Sequence, residues 1–264
     1  MSKIDIEPEI LESLYWGNEY DTYMIASIFG CSDVTIGNRL KEHSIPRRLS
    51  YDLTDFRFNN RQKQIFEGCM LGDGNLVWRG TNCIFSDVDM HEEYLIWLQG
   101  ELNISSISRI TPIYHFKGAG APYEYLLRTR LIPSIREEHK IWYPYKTRKG
   151  THQHKHYKII PKDIELTLIK VLFWFLGDGW YYKERETVWF TTYLSLDTAV
   201  MLINKLKVLL DVNEGITYCK SHKDRNGNQC YSIRLDRIVS NMFFDMVDSL
   251  GFDIPDCYQY KFGR

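Results

Sequence analysis

Two stretches of this chain end in the same tripeptide: FEGCMLGDG at residues 66–74 and VLFWFLGDG at residues 171–179. Each stretch is an apolar run of the length expected for a buried helix, and each closes on Gly-Asp-Gly. A pair of strands is predicted directly after both copies, so the tripeptide recurs in the same structural setting. Recurrence of this kind indicates two similar structural units within one chain.

The elements predicted after each motif follow one order, αββαββα. In the first unit we predict a helix over 62–74, strands within 75–88, a helix over 91–102, strands near 107–117 and 123–130, and a closing helix within 131–142. In the second we predict a helix over 168–179, strands at 180–185 and 187–193, a helix over 196–211, a hairpin turning at Asn226-Gly227, and a helix over 236–251. The fold class is therefore α+β, with two pseudo-symmetric repeats preceded by a small all-α domain.

The first fifty residues form a predicted helical domain. A short helix spans Glu9 to Trp16, Asp21 precedes the helix TYMIASIFG, and Ser32 begins a third helix, DVTIGNRLKEHS. Helical spacing places these side chains inward: Tyr23, Ile25, Ala26 and Phe29 of the second helix, and Val34, Ile36 and Leu40 of the third. It leaves these side chains outward: Thr35, Asn38, Arg39 and Lys41.

Two short helices joined by a glycine-containing turn are typical of a helix-turn-helix unit. The stretch IASIFGCSDVTIGNRLKEHSIPRR resembles the helix-turn-helix domains of bacterial and phage DNA-binding proteins. The resemblance implies that Thr35, Asn38 and Arg39 face base edges, and that Arg47 and Arg48 contact phosphate. A three-helix unit that serves only for packing is the alternative. The predicted organisation is a helix-turn-helix domain at 1–48, a linker at 49–61, and repeats at 62–160 and 161–264.

The glycines of the first motif indicate how the two apolar helices meet. Gly68 and Gly72 lie four positions apart and leave a flat stripe that a second helix can approach closely, and Gly177 is the counterpart of Gly72. Side-by-side packing would bring Asp73 and Asp178 together at one end. Paired carboxylates are hard oxygen ligands that suit Mg²⁺, a cation used in phosphodiester cleavage.

The two motifs resemble those of single-chain LAGLIDADG homing endonucleases, over about residues 62–264. The resemblance implies site-specific cleavage of both strands of a long DNA site, with two or three Mg²⁺ ions, or Mn²⁺ in their place, shared by the aspartates. The implied metal ligands are Asp73, Asp178, Gly72 and Gly177. Leu71 and Leu176 replace the earlier acid of the family motif, and Phe173 stands where the first copy has Gly68.

Two lysines follow from the same resemblance as catalytic candidates. Family members carry a lysine before an Ile-Pro that precedes the second motif, matched by Lys158 in YKIIPKDIE, and another near the C-terminus, matched by Lys261 in YQYKFG. A lysine beside each site could polarise the attacking water or neutralise the transition-state phosphate. The alternative for each is an ordinary surface lysine.

The family lays its two sheets over the DNA major groove, which makes basic residues on predicted strands and hairpins candidates for DNA contact. These are Arg79, Arg128, Arg130, Lys183, Arg185, Lys220 and Arg234. The basic tract TRKGTHQHKHYK at 147–158, with Arg148 and Lys149, could follow the backbone of the DNA. Its alternating histidines, at 152, 154 and 156, could share one face and bind a metal, or face phosphate or solvent.

The net charge of −1 conceals a strongly basic block, because residues 103–162 carry twelve Lys and Arg against three acids. Six scattered cysteines without a Cys-x-x-Cys pair argue against a zinc ribbon, and the N-terminal residues do not form a signal peptide. We therefore expect an intracellular monomer, cytoplasmic or in an organellar matrix, that binds double-stranded DNA and neither a membrane nor a small-molecule substrate. Two alternatives are a cleavage-inactive scaffold, acting as an intron RNA maturase or DNA-binding regulator, and a helix-turn-helix regulator with a small-molecule domain.

Overall fold

The computed structural model describes residues 6–17, 20, 22–45, 53, 55–79, 82–114, 122–144, 158–223 and 227–263, without the side chains of Arg79, Asn82, Thr192 and Tyr193. The chain forms two units, Met1–Leu53 and Thr54–Arg264. No helix among the described residues is long and apolar enough to cross a membrane.

The described part of the first unit has three α-helices, α1 (Pro8–Glu12), α2 (Thr22–Phe29) and α3 (Asp33–Glu42). The helix predicted from Glu9 to Trp16 is only partly right, because α1 gives way to a π-helical turn at Ser13–Gly17. Ser32 begins α3, where its hydroxyl accepts a hydrogen bond from the Thr35 N–H at 3.1 Å. The small core of the unit includes Leu11, Ile25, Ile36 and Leu40.

Three predicted orientations in the first unit are wrong. Tyr23 and Val34, expected inside, are 58% and 65% exposed, whereas Arg39, expected outside, is only 7% exposed. The buried residues of α3 begin at Ile36, so Val34 in the first turn has no core to face. Arg39 packs its aliphatic stem inward and donates to Glu42 at 2.5 Å, which satisfies the guanidinium locally.

The second unit begins with the first repeat. Its elements are α4 (Asn60–Leu71), β1 (Asn75–Arg79), β2 (Asn82–Asp89), α5 (Glu92–Leu102), β3 (Ser108–Ile113), β4 (Glu124–Thr129) and α6 (Ile135–Trp142). Helix α4 begins with a reciprocal capping box, in which the side chains of Asn59 and Gln62 each bond to the other's backbone N–H. A 3₁₀ turn, Ser105–Ile107, precedes β3.

The second repeat has the same order. Its elements are α7 (Leu168–Asp178), β5 (Gly179–Tyr182), β6 (Thr187–Leu194), α8 (Leu196–Leu209), β7 (Ile216–Lys223), β8 (Gln229–Leu235) and α9 (Arg237–Asp248), followed by a 3₁₀ segment, Asp256–Phe262. Thr167, Ser195 and Asp236 cap α7, α8 and α9 through side-chain oxygens. Each helix therefore begins at a residue that can satisfy its free N–H groups.

Each repeat contributes one four-stranded antiparallel sheet, with the orders β1-β2-β4-β3 and β5-β6-β8-β7. Alternate residues of each sheet, such as Phe85 and Leu127 in the first and Phe190 and Ile233 in the second, are fully buried under the helices. The predicted α+β architecture with two αββαββα repeats is confirmed.

Several predicted elements extend beyond the observed ones, and two of these differences bear on the motifs and the strands after them. Helix α4 ends at Leu71, before Gly-Asp-Gly, whereas α7 includes Asp178. The strand predicted at 180–185 ends at Tyr182, and Lys183–Arg185 form a 3₁₀ turn that leads into β6. Asn226 of the predicted hairpin turn and residues 115–121 lie outside the described residues.

Candidate active site and nucleic-acid interface

The two motif helices, α4 and α7, pack against each other through their glycines. A Cβ at Gly68 would lie 2.7 Å from the backbone oxygen of Lys170 and 2.7 Å from the Cβ of Phe173. A Cβ at Gly72 would lie 3.3 Å from the Asp178 nitrogen, and one at Gly177 would lie 3.3 Å from the Asp73 nitrogen. The absence of side chains at these positions lets the two Gly-Asp-Gly ends meet in direct van der Waals contact.

Asp73 and Asp178 lie side by side in a cleft of about 1190 Å³. Burial, together with the negative charge of Asp178 and a hydrogen bond between the two carboxyl groups, raises the pKa of Asp73 to about 6. The positive charges of Lys158 and Lys261 oppose this rise. Two carboxyl groups placed side by side form a site that attracts positive charge.

Lys158 and Lys261 both lie at the motif ends, each beside one copy. The Lys158 ammonium donates to the carbonyl oxygens of Gly72 and, at 2.9 Å, Gly74. The Lys261 ammonium donates to the carbonyls of Leu176 at 2.5 Å and Gly177 at 3.0 Å. Each lysine thus satisfies free carbonyls where a motif helix ends, at the negative pole of the helix dipole.

The two lysines differ in their access to the cleft. Lys158 lines the cleft, whereas Lys261 is 7% exposed and is not among the lining residues. Burial lowers the pKa of Lys158, and it lowers the pKa of Lys261 to about 8, although nearby carboxylates oppose both changes. Both ammonium groups therefore depend on those carboxylates for their charge.

Two residues that line the cleft, and one buried near it, were not predicted from the sequence. Asn75 lines the cleft directly after the first motif, and the Tyr143 hydroxyl donates to its side-chain oxygen at 2.5 Å. Asp87, on β2, is 5% exposed, and burial followed by the charge of Asp73 raises its pKa well above the ordinary value. The polar residue Asn75 immediately after Gly-Asp-Gly was the only available signal, since the contact with Tyr143 spans 68 positions.

The donor set at the motif ends suits a cation that does not need a complete protein cage. Within the described residues, no group of three or more His, Cys, Asp or Glu side chains could hold a metal ion. The two carboxylates are oxygen donors, which Mg²⁺ and Mn²⁺ accept together with water and phosphate. The Gly72 and Gly177 carbonyls each accept from a lysine in this structure and keep a second lone pair for a cation. The residues therefore fit a divalent cation that shares its ligands with a nucleic-acid phosphate.

The sequence pattern of the LAGLIDADG DNA endonuclease family matches residues 63–238, which include both motifs and both aspartates. The chain belongs to this family. Among curated proteins, none matches the chain.

Solved structures are similar to this LAGLIDADG chain to different degrees, and I-WcaI shows the same fold. The homing endonuclease I-WcaI bound to its DNA recognition sequence superposes with a TM-score of 0.63 at 15% identity, over 82% of this chain and 93% of that one. Full-length DUF199/WhiA from Thermatoga maritima gives a TM-score of 0.42 at 14% identity, over 80% and 62% of the two chains. A variant of I-DmoI in complex with its target DNA in the presence of Mn gives 0.39 at 14% identity, over 74% and 97%.

The first sheet of the LAGLIDADG fold carries arginines on the face opposite its helices. Arg128 on β4 pairs in register with Arg109 on β3 and with Ser86 on β2, while the neighbouring Leu127 points into the core. Arg109 was not among the predicted DNA contacts. Polar and apolar residues do not alternate regularly along β3, so its sequence does not show which side chains face away from the core. Arg130 follows β4 and is exposed.

The second sheet carries aromatic residues at the corresponding face. Trp180, Trp189 and Arg234 are consecutive partners across β5, β6 and β8, and the guanidinium of Arg234 lies 5.8 Å from the Trp189 ring. The buried Nε of Arg234 has no hydrogen-bond partner among the described residues. Lys183 and Arg185 are exposed on the turn after β5, and Lys220 is exposed on β7.

The remaining predicted contacts divide by whether the structure describes them. Thr35 is half-buried and bonds through its hydroxyl to Ser32, Asn38 is exposed, and Arg39 is only 7% exposed. Arg79 ends β1, but its side chain is outside the described part of the chain. The following predicted contacts also lie outside the described residues: Arg47, Arg48, Arg148, Lys149 and the three histidines at 152, 154 and 156.

Proposed function

We propose that this chain is a site-specific double-strand DNA endonuclease of the homing type, which hydrolyses one phosphodiester bond on each strand of a long site. The observation that carries the proposal is the meeting of Asp73 and Asp178 at the joined ends of α4 and α7. Two carboxyl groups beside a DNA phosphate repel it unless a cation lies between them, so their presence favours metal-assisted cleavage over binding alone.

Asp73 and Asp178 would hold Mg²⁺, or Mn²⁺ in its place, with help from the Gly72 and Gly177 carbonyls. When bound, the cation supplies an activated water and stabilises the leaving oxygen of the phosphodiester. Lys158 and Lys261 add positive charge beside the two scissile phosphates, one at each motif end. Asn75, fixed by Tyr143, presents its amide group to the same cleft.

DNA would lie across the two sheet faces that carry Arg109, Arg128, Trp189 and Arg234. I-WcaI, which shares the fold, was solved bound to its DNA recognition sequence, and this supports DNA as the partner. Arginines suit guanine edges and phosphates, and aromatic rings suit the apolar thymine methyl group. Two catalytic ends in one chain are consistent with action as a monomer.

The proposal is tested by cleavage of a DNA library with Mg²⁺, followed by the variants Asp73→Asn and Asp178→Asn on the selected site. Each variant should lower the cleavage rate by about a hundredfold or more while DNA binding is retained. Asp253→Asn, which makes the same change at an exposed position, serves as the control. Full cleavage by either motif variant would contradict the assignment, and tight binding without cleavage by the wild type would favour the regulator or maturase alternative.

The helix-turn-helix role of the first unit is a separate part of the proposal. Of the three α3 residues predicted to face bases, Asn38 is exposed, Thr35 is half-buried and Arg39 is buried. Deletion of residues 1–46 should shorten the DNase footprint and weaken binding without abolishing cleavage. An unchanged footprint would show that the three helices serve only for packing.

A further inference from the structure

The C-terminal 3₁₀ segment of the second repeat packs on the first repeat. The Tyr258 ring stacks on Tyr94 of α5, with centroids 4.4 Å apart and planes at 18°. Its hydroxyl donates to Asp89, the last residue of β2, 169 positions away in the chain. Tyr258 is only 2% exposed, so this hydrogen bond is shielded from water.

Asp89 is itself held in place by its neighbours. Its Oδ1 accepts the backbone N–H of His91 at 2.6 Å and lies 3.1 Å from the His91 ring Nδ1. The other oxygen, Oδ2, is the one that accepts the Tyr258 hydroxyl. A carboxylate fixed at one oxygen and shared at the other can orient the phenol that it binds.

Lys261 depends on the same segment for its position. It lies three residues after Tyr258, and side chains three apart in a 3₁₀ helix share one face. Its ammonium lies 5.0 Å from the centre of the Tyr258 ring and reaches the Leu176 and Gly177 carbonyls at the end of α7. Tyr258 therefore lies between Asp89 of the first repeat and the lysine of the second motif end.

We propose that Asp89 and Tyr258 form a positioning pair that holds Lys261 beside the second motif and so sets the cleavage rate of one DNA strand relative to the other. The inference rests on the nuclease function proposed above. It extends the active site to two residues, of which one belongs to each repeat and neither lines the cleft.

The other lysine is positioned by different contacts, which makes the effect specific to one strand. Lys158 bonds to the Gly72 and Gly74 carbonyls, and its segment is joined to α6 by the Ile159 N–H, which donates to the Trp142 carbonyl at 2.9 Å. None of these contacts includes Asp89 or Tyr258. Loss of the Tyr258 hydroxyl should therefore leave Lys158 in place.

Strand-resolved cleavage tests the pair. Each strand of the target is labelled separately, and Lys261→Met first identifies the strand that depends on this lysine. Tyr258→Phe keeps the stacked ring but removes the donor, and should slow cleavage of that same strand about tenfold, with nicked DNA accumulating and the other strand within about twofold of wild type. Asp89→Asn keeps the size of the side chain but weakens the acceptor of the Tyr258 hydroxyl and removes a negative charge near Lys261, so it should slow the same strand.

Tyr260→Phe is the matched control, since Tyr260 lies in the same segment and is 60% exposed. It should cut both strands at wild-type rates. If the wild type is active, three results for Tyr258→Phe overturn the positioning role. These are equal slowing of both strands, slowing of the other strand alone, and no slowing of either strand. If the wild type cuts neither strand, the proposed nuclease function itself fails. Thermal unfolding of each variant separates loss of fold, which would slow both strands alike, from loss of position.

Discussion

The helices α4 and α7 end on the same Gly-Asp-Gly but differ in almost every other respect. Helix α4 begins with the polar run NRQKQ and is buried only in its second half, whereas α7 is buried without interruption from Lys170 to Leu176. At the point of closest approach, α4 has Gly68 and α7 has Phe173. The two repeats are thus similar in backbone and opposite in side-chain size where they touch.

The difference shows that a pseudo-symmetric interface needs complementary surfaces rather than identical ones. The Cβ of Phe173 fills the space that Gly68 leaves, and the Phe173 ring stacks on Trp97 of α5 with centroids 5.4 Å apart. Two glycines at this level would leave a void, and two phenylalanines would keep the helices apart. One glycine opposite one phenylalanine therefore permits close packing, and it gives α4 and α7 distinct, complementary surfaces.

A buried ion pair provides the most severe test of this interface. Lys170 of α7 is 8% exposed, and its ammonium contacts Glu67 of α4 at 2.6 Å. Glu67→Gln leaves the buried ammonium without its countercharge and should lower the free energy of unfolding by about 3 kcal/mol. Lys170→Met should cost less, because Glu67 retains a second partner, Lys63, at 3.8 Å. Urea unfolding measures both changes.

The exposed pair of Lys140 and Glu137 is the control for this experiment. The two side chains are 54% and 68% exposed and 2.6 Å apart, so Lys140→Met should change stability by about 0.5 kcal/mol or less. A similar loss for the buried and the exposed pair would show that the α4–α7 contact does not depend on its internal charges.

The sequence predicted the repeated architecture well because its signals are local. Apolar periodicity, capping residues and Gly-Asp-Gly each act within a few neighbouring positions. They placed both motif helices and strands β1 to β6 to within a few residues, and they predicted the last hairpin by its turn alone. The end of α4 at Leu71 was not predicted. Both motif helices reach Gly-Asp-Gly through apolar residues, so the sequence gives no local reason for α7 to continue through its aspartate while α4 stops before the glycine. Arg39 was misplaced because helical spacing does not show that a glutamate one turn away can satisfy the guanidinium of a largely buried arginine.

The site was predictable only where family motifs mark it. Asp73, Asp178, Lys158 and Lys261 all carry motif signals, and the structure places them together. Asp89 and Tyr258 carry none, because no periodicity relates residues 169 positions apart. Contacts between the two repeats form only when the chain is folded. Composition and spacing therefore cannot identify residues whose role is to make those contacts.

Substitution of Gly68 tests the complementarity of the two helices with an intermediate expected effect. Gly68→Ala places a methyl group 2.7 Å from the Lys170 carbonyl and should destabilise the chain by about 2 kcal/mol, since the contact is with backbone that cannot rotate away. Gly100→Ala in α5 is the matched control, because a Cβ there meets no described atom within 4 Å. It should stabilise the chain by about 1 kcal/mol through helix propensity alone. Opposite signs in thermal or urea unfolding are expected, and stabilisation by both would show that the helices have room to move apart.

Asp87 of the first repeat and Phe190 of the second occupy equivalent positions but differ in polarity. The strand registers place Asp87 in β2 where Phe190 lies in β6, and both side chains are buried. Asp87 accepts the Val88 N–H at 2.8 Å and shares a hydrogen bond with the Cys69 thiol. A carboxyl group at a core position is costly when ionised, so the first repeat gives up stability here that the second retains.

Titration of Asp87 gives the smallest of these effects and a definite sign. Burial, then the charges of Asp73 and Asp89, raises the pKa of Asp87, while the Val88 N–H and Lys158 lower it in part. The folded chain therefore binds this proton more tightly than the unfolded chain, and wild-type stability should fall as the pH rises above the ordinary carboxyl pKa of about 4. Asp87→Asn cannot titrate, so its stability relative to wild type should increase by on the order of 1 kcal/mol between about pH 5 and about pH 6. Urea unfolding with a metal chelator present measures the difference, in which the titration of other groups largely cancels. A constant difference across this range would mean that the unfolded and folded chains hold the Asp87 proton equally, and the contrast with Phe190 would then have no energetic consequence.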